Sequence, residues 1–195
     1  MDSYVRIAYG WRVAVSAGTY QLGPAQGRVS IRTGRVGIAA RAGHDLLLEV
    51  TRWQARVEVP EAGGVAAATV TAELDLASLA VREGTGGARP LSPKDRADIE
   101  KQMRKILADR GDAASASFSS ARVIPASVGG AIEGTITLRG KTQPARLQVQ
   151  EPEPGHYRGT ATVSQTGLGI TPYTGFLGAL KVRDEVTVEL DLRVA

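Results

Sequence analysis

The side chains with the most chemistry to offer are adjacent: His44 and Asp45, in Ala42-Gly43-His44-Asp45-Leu46. The chain has only one other histidine, His156, which follows the turn sequence Pro152-Glu153-Pro154-Gly155. A histidine beside a carboxylate can move a proton. Neighbours along a strand point to opposite faces, however, so this pair serves as a dyad only on a bend. His44 therefore reads as a structural or mouth-lining residue, or as a polar contact to a ligand. His156 reads as solvent-facing. Glu73 with Asp75 and Glu189 with Asp191 are i, i+2 carboxylates on polar strand faces, and they read as solvated. No carboxylates stand at the spacing that would complete a three-ligand metal site. The chain contains no G-x-S-x-G, no P-loop and no H-E-x-x-H. Gly84-Thr85-Gly86-Gly87 lacks the strand-to-helix context of a phosphate loop and reads as a mobile loop. No catalytic residue, metal or cofactor is expected, and the chain reads as a protein that is not an enzyme.

The elements that must position these residues are mostly strands. In Ile132–Val149, Ile132, Gly134, Ile136 and Leu138 alternate with Glu133, Thr135, Thr137 and Arg139. Past Arg139-Gly140-Lys141-Thr142, the residues Ala145, Leu147 and Val149 alternate with Arg146, Gln148 and Gln150. Strict alternation marks a half-buried antiparallel strand, and Gly140 suits the turn between the two. Pro144 has no N–H, so it belongs at a strand start or edge.

The same grammar recurs along the chain. It covers Gly18–Leu22, then Val29 to Thr33, with a bend at Gly34. A strand of small residues is expected over 36–40. Further strands run through Leu46, Leu48 and Val50; through Trp53, Ala55, Val57 and Val59; and through Ala68 to Leu76. Another begins with Ala116, Phe118 and Ser120 before Pro125, and others span Tyr157 to Ser164 and run from Val186 to Leu192. Arg82–Leu91 reads as loop, and 166–178 as irregular. One helix is expected over about Pro93-Asp109. Ser92 is its N-cap and Pro93 its first residue, and Ile99, Met103, Ile106 and Leu107 form one apolar stripe. Lys101, Arg104 and Lys105 fall on a basic outer face. The fold class is all-β: an extended antiparallel barrel of roughly eight strands with one inserted α-helix.

Length and composition bound the rest. The 195 residues fit one domain and can bury a sizeable core; 43% are hydrophobic and 23% charged, which is globular. The 23 glycines and 9 prolines match a chain with many turns. The net charge of +4 comes from singly scattered arginines without interleaved aromatics, so no nucleic-acid partner is expected. Zero cysteines exclude disulfides and thiolate chemistry. No apolar run reaches the roughly 20 residues of a membrane span. Arg6 and Arg12 interrupt the apolar pieces at the start, so no signal peptide is read and a cytoplasmic location is the expectation. Residues 1–17 read as an N-terminal extension, and the regular pattern starts near Gly18.

Several segments, in order, resemble the YceI-like family, the lipocalin-like polyisoprenoid-binding proteins. G-T-I-T-L-R-G-K-T-Q-P-A-R-L resembles the family's G-x-L-T-I-H-G-V-T-K-P-V-x-L, with Gly134, Thr137, Gly140, Thr142, Pro144 and Leu147 in register. Q-T-G-L-G-I at 165–170 resembles R-S-D-F-G-I, although the family's Arg, Asp and Phe are Gln165, Gly167 and Leu168 here. D-E-V-T-V-E-L-D-L resembles D-E-V-x-I-x-I-D-L, and G-H-D-L at 43–46 takes the place of an R-H element. A-S-F-S-S resembles a P-x-x-x-F-x-S strand without its Pro. The resemblance covers Gly18 to Val194. It implies a lipocalin-like barrel with an apolar channel for an isoprenoid or quinone-like lipid.

A prenyl chain offers no hydrogen bonds, so its affinity would come from apolar area removed from water. The inward-facing candidates are Ile38, Leu48, Trp53, Val70, Leu74, Phe118, Ile136, Leu138 and Val163, with His44 as the polar contact. Alternation alone does not separate a channel wall from packed core. The alternative expectation is an interaction or stress-response module with a packed interior, acting through the helix and loops. A homodimer is compatible with either.

Overall fold

The structure is a computed structural model that describes residues 16–108, 114–126 and 129–194. Its first strands are β1 (Gly18–Leu22), β2 (Gly27–Arg32), β3 (Arg35–Val36), β4 (Asp45–Val50), β5 (Trp53–Val59), β6 (Thr69–Asp75) and β7 (Leu79–Thr85). Helix α1 (Pro93–Leu107) follows. The chain then continues through β8 (Ser115–Pro125), β9 (Gly130–Leu138), β10 (Lys141–Glu153), β11 (His156–Ser164), β12 (Thr174–Gly175), β13 (Leu180–Val182) and β14 (Glu185–Arg193).

Eleven strands make one antiparallel sheet in the order β1-β5-β6-β8-β9-β10-β11-β14-β2-β4-β7, and β12-β13-β3 form a second, small sheet. The expected eight-strand barrel is thus corrected to a curled half-barrel of eleven strands with a three-stranded appendage. Ten of the eleven strands of the large sheet coincide with stretches read from alternation, so the count of roughly eight was low, and the remaining strands have two sources. β3, β12 and β13 span only two or three residues, too few for alternation to register. β7 runs to Thr85, into the glycine-rich stretch read as loop. The small-residue strand expected over 36–40 is also absent: β3 stops at Val36, and Ala40–Ala42 is a single 3-10 turn.

The two outer strands of the large sheet, β1 and β7, do not pair with each other. An unpaired edge leaves backbone donors and acceptors unsatisfied. Helix α1 covers the edge of β7 with side chains. Glu100 Oε1 accepts from the Val81 N–H at 2.9 Å, and Arg96 donates to the carbonyls of Val81 (3.1 Å) and Arg82 (2.5 Å). The helix begins in a reciprocal capping box between Ser92 and Asp95 and has Pro at its start, as expected. It ends at Leu107; the sequence expectation ran to Asp109, which lies outside the described residues. Its stripe of Ile99, Met103, Ile106 and Leu107 packs against the core cluster of Val29, Leu48, Trp53, Leu79, Val81, Leu138 and Val163.

The β9–β10 hairpin forms as its sequence demands. Leu138 pairs with Lys141 across Arg139 and Gly140, whose φ values of 51° and 71° fit a two-residue type I′ turn. Arg139 then donates to the Ile106 carbonyl at 2.8 Å, tying this turn to the end of α1. Pro144 lies inside β10, opposite Thr135, yet the ladder from β10 to β11 is registered only from Gln148 onward. Its missing N–H therefore faces no ladder partner on that side.

His156 is corrected from solvent-facing to buried, at 5% exposure. β11 begins at this residue, opposite Arg193 of β14, so the ring lies along a neighbouring strand instead of in the turn. Its Nε2 donates to Asp191 at 2.9 Å, and Arg158 donates to the same carboxylate at 3.3 Å. The other strand-face carboxylates are paired as well: Asp75 with Arg52, Glu73 with the Gln54 amide and Glu189 with Arg32.

The His156 hydrogen bond, with Arg158 adding to it, holds the Asp191 carboxyl below the usual range. The Ser164 hydroxyl does the same for Asp184, Arg122 for Glu133 and the Ser92 hydroxyl for Asp95. A carboxyl whose pKa is lowered by folding binds its proton more readily in the unfolded chain. Its contribution is complete above the unfolded value, about 4, and is lost as pH falls through the folded value. These four carboxylates therefore leave the melting midpoint independent of pH near neutrality and make it fall below about pH 4. Melts across that range should show a shallower acid decline in Asp191→Asn. An identical decline would remove Asp191 from this account.

A candidate ligand-binding cavity

The concave face of the half-barrel does not fill with side chains. It encloses a cavity of about 800 Å³, walled by the large sheet and by the apolar face of α1. That size lies towards the upper end of the range for small-molecule sites. The reason is local. Ala55 and Ala72 pair directly across β5 and β6, and Ala72 pairs with Phe118 on β8. Both alanines line the cavity and are only partly buried. Ile99, Met103, Ile106 and Leu107 are likewise only partly buried, since the apolar face of the helix looks into the void.

Nine of the ten residues singled out from sequence line this cavity: His44, Leu48, Trp53, Val70, Leu74, Phe118, Ile136, Leu138 and Val163. Ile38 does not. It is 97% exposed, because the segment expected as an inward strand is a loop and 3-10 turn outside the large sheet. Alternation did not extend to the wall contributed by α1, to Leu180 and Val182 of the small sheet, or to Leu168 and Ile170. The apolar stripe of α1 was visible in the sequence. Which void it would face was not.

Polar groups gather at the end where β2, β4 and β7 meet α1. His44 donates from Nε2 to the Arg89 carbonyl at 2.7 Å. Arg35 donates to the Thr85 carbonyl at 2.7 Å and pairs with Asp45 at 3.3 Å. His44 and Asp45 thus have separate partners and do not form a dyad. Gln165 also lines this end and donates to the Arg183 carbonyl at 2.7 Å. Asp184 pins the following turn by accepting from the Ser164 hydroxyl (2.6 Å) and the Thr166 N–H (2.7 Å).

The stretch Gly84–Gly87, expected to be mobile, is packed. A Cβ on Gly86 would lie 2.2 Å from the Arg35 guanidinium, and one on Gly87 2.2 Å from the His44 ring. These glycines let the two side chains lie flat against the backbone, a close approach that any larger residue would block. At the opposite end, the Tyr157 hydroxyl is buried beside Glu151 and makes no hydrogen bond of good geometry among the described residues. Burial first, and the neighbouring Glu151 carboxylate second, push its pKa well above the ordinary tyrosine value. Among the described residues no group of three His, Asp or Glu could hold a metal ion, and no helix is long and apolar enough to cross a membrane.

A mostly β chain with one helix, its sheet curled around an apolar cavity with a few polar groups at the mouth, has the form of a small-molecule binding protein. The family model for the YceI-like domain matches residues 20–194, and the chain belongs to that family. Among solved structures it is similar to the crystal structure of Burkholderia cenocepacia BcnA. The TM-score is 0.59 and the identity 16%, over 86% of this chain and 96% of that one. That likeness concerns the fold. No curated protein matches the chain in sequence.

Proposed function

We propose that this chain is a non-enzymatic binding protein that holds an isoprenoid or quinone-like lipid in its interior cavity. The observation that carries the reading is the cavity of about 800 Å³, walled by Leu48, Trp53, Leu74, Phe118, Ile136, Leu138 and Val163. Such a wall suits a chain without hydrogen-bonding groups, because binding then rests on area removed from water, about 25 cal/mol per Å² before ordering costs. His44, Arg35 and Gln165, gathered at one end, suit a polar head on an apolar tail, while Tyr157 and Arg158 also line the cavity. The YceI-like family membership supports the same ligand class. An interaction module with a packed interior is disfavoured by the cavity itself.

Protein purified from its native host should carry a lipid adduct in native mass spectrometry. Organic extraction should release a polyprenyl- or quinone-type molecule in near-stoichiometric amount. Repeated preparations with an empty interior, or with only detergent and buffer molecules bound, would sink the proposal.

A further inference from the structure

The large apolar side chains left exposed among the described residues are Ile38, Tyr173, Phe176 and Leu177. All four belong to the small sheet and its connections. Ile38 follows β3, whereas Tyr173, Phe176 and Leu177 flank β12 and lead into β13. The two segments are joined by an Ala39 N–H to Ala179 carbonyl hydrogen bond of 3.0 Å, so their apolar side chains share one tip. Phe176 and Leu177 both have left-handed backbones, with φ of 49° and 54°. That conformation is unfavourable for a residue with a Cβ, yet here it presents two large apolar side chains to solvent. The surrounding charge is mainly positive. Residues 33–44 and 165–183 carry Arg35, Arg41, Lys181 and Arg183. Asp45 and Asp184 adjoin these stretches, but Asp45 pairs with Arg35 and Asp184 accepts from Ser164 and Thr166, so Arg41, Lys181 and Arg183 are the cations there without an ion pair among the described residues. The small sheet also borders the cavity, since Arg35, Tyr173, Leu180 and Val182 contribute to its wall.

We infer that this tip docks on a lipid bilayer carrying anionic headgroups, with Phe176, Leu177 and Ile38 entering the interface and the basic side chains meeting the headgroups. Exposed apolar side chains ringed by cations bind such surfaces through buried apolar area plus attraction to anionic lipid. Docking there would bring the polar mouth of the cavity next to the membrane. The inference rests on the surface of the tip and stands apart from what the cavity holds.

The test is co-sedimentation of the full chain with vesicles of phosphatidylcholine, with and without phosphatidylglycerol, at low and high salt. Native mass spectrometry of the same preparation reads the cavity separately, so an empty cavity and failed docking are distinguishable. The expected result is binding to the phosphatidylglycerol vesicles that weakens with salt. Binding should fall at least about tenfold in the double variant Phe176→Asn, Leu177→Asn. Asparagine tolerates the left-handed backbone, so the loop should keep its shape and the protein its melting midpoint. Arg41→Glu with Lys181→Glu should abolish the preference for phosphatidylglycerol. Three results overturn the inference: wild-type protein left in the supernatant at low salt, a double Asn variant that binds like wild type, or a tip-dependent dimer with no vesicle binding.

Discussion

Replacing Ala72 by Trp is expected to strip the cavity of its lipid while leaving the fold intact. Ala72 lies on β6 between Ala55 and Phe118, lining the void and only partly buried. An indole there enters empty space and not a packed core, so the overpacking cost of about 1–3 kcal/mol is largely avoided. If the ring denies the lipid about 100 Å² of apolar contact, occupancy weakens by about 2.5 kcal/mol, a loss between about tenfold and a hundredfold. Thr71→Trp is the control. Its side chain is exposed on the outer face of the same strand, so retention should match wild type. The measurement is the lipid-to-protein ratio after purification, with a thermal melt to confirm folding. Full retention in a folded Ala72→Trp protein would place the lipid, or the function, elsewhere.

Gly134→Val is expected to damage the fold more than any change to the cavity wall. A Cβ at Gly134 would lie 2.3 Å from the Ser119 carbonyl oxygen and 2.7 Å from the Phe118 ring. The carbonyl belongs to the backbone of β8, and the β8–β9 register shifts between Ser120 and Arg122, next to this position. Relieving the clash means separating two central strands. The cost is about 3 kcal/mol or more, a fall of roughly 10 °C in melting midpoint for a chain of this size. Gly140→Ala makes the comparison. Nothing lies within 4 Å of a Cβ there, so only the positive φ of the turn is penalised, by about 1 kcal/mol. Melts that rank the two variants in the reverse order would show that strand separation is not the cause.

The β9–β10 hairpin shows what was legible from residues alone. Ile136 and Leu138 face inward, Arg139 and Gly140 make the turn, and the alternation extends through Leu147 and Val149. Each of these features depends on neighbours a few positions away. Ile38 failed for the same kind of reason. The strand pattern was extended over 36–40, but the chain has already left the large sheet after Arg32, and β3 belongs to the small one. Gly84–Gly87 was misread because glycine signals two opposite things, a free loop and a close approach. Only the Arg35 and His44 side chains lying against it decide between them. His156 was misplaced because the strand pairing that brings it to its partner Asp191 joins positions 35 apart along the chain.

The sequence by itself determined the strand-rich class, the capped helix, the main hairpin and most of the inward-facing residues. These follow from periodicity, turn chemistry and capping, which act over a few residues. Tertiary structure alone decided that the inward faces bound a void. Leu138 borders the void with only 1% of its surface exposed, whereas Ala72 and Ile99 remain partly exposed, although all three lie on apolar faces by the same periodic rule. What separates them is the curvature of eleven strands and the seating of α1 across the edge of β7, which set how far apart the opposing walls stand.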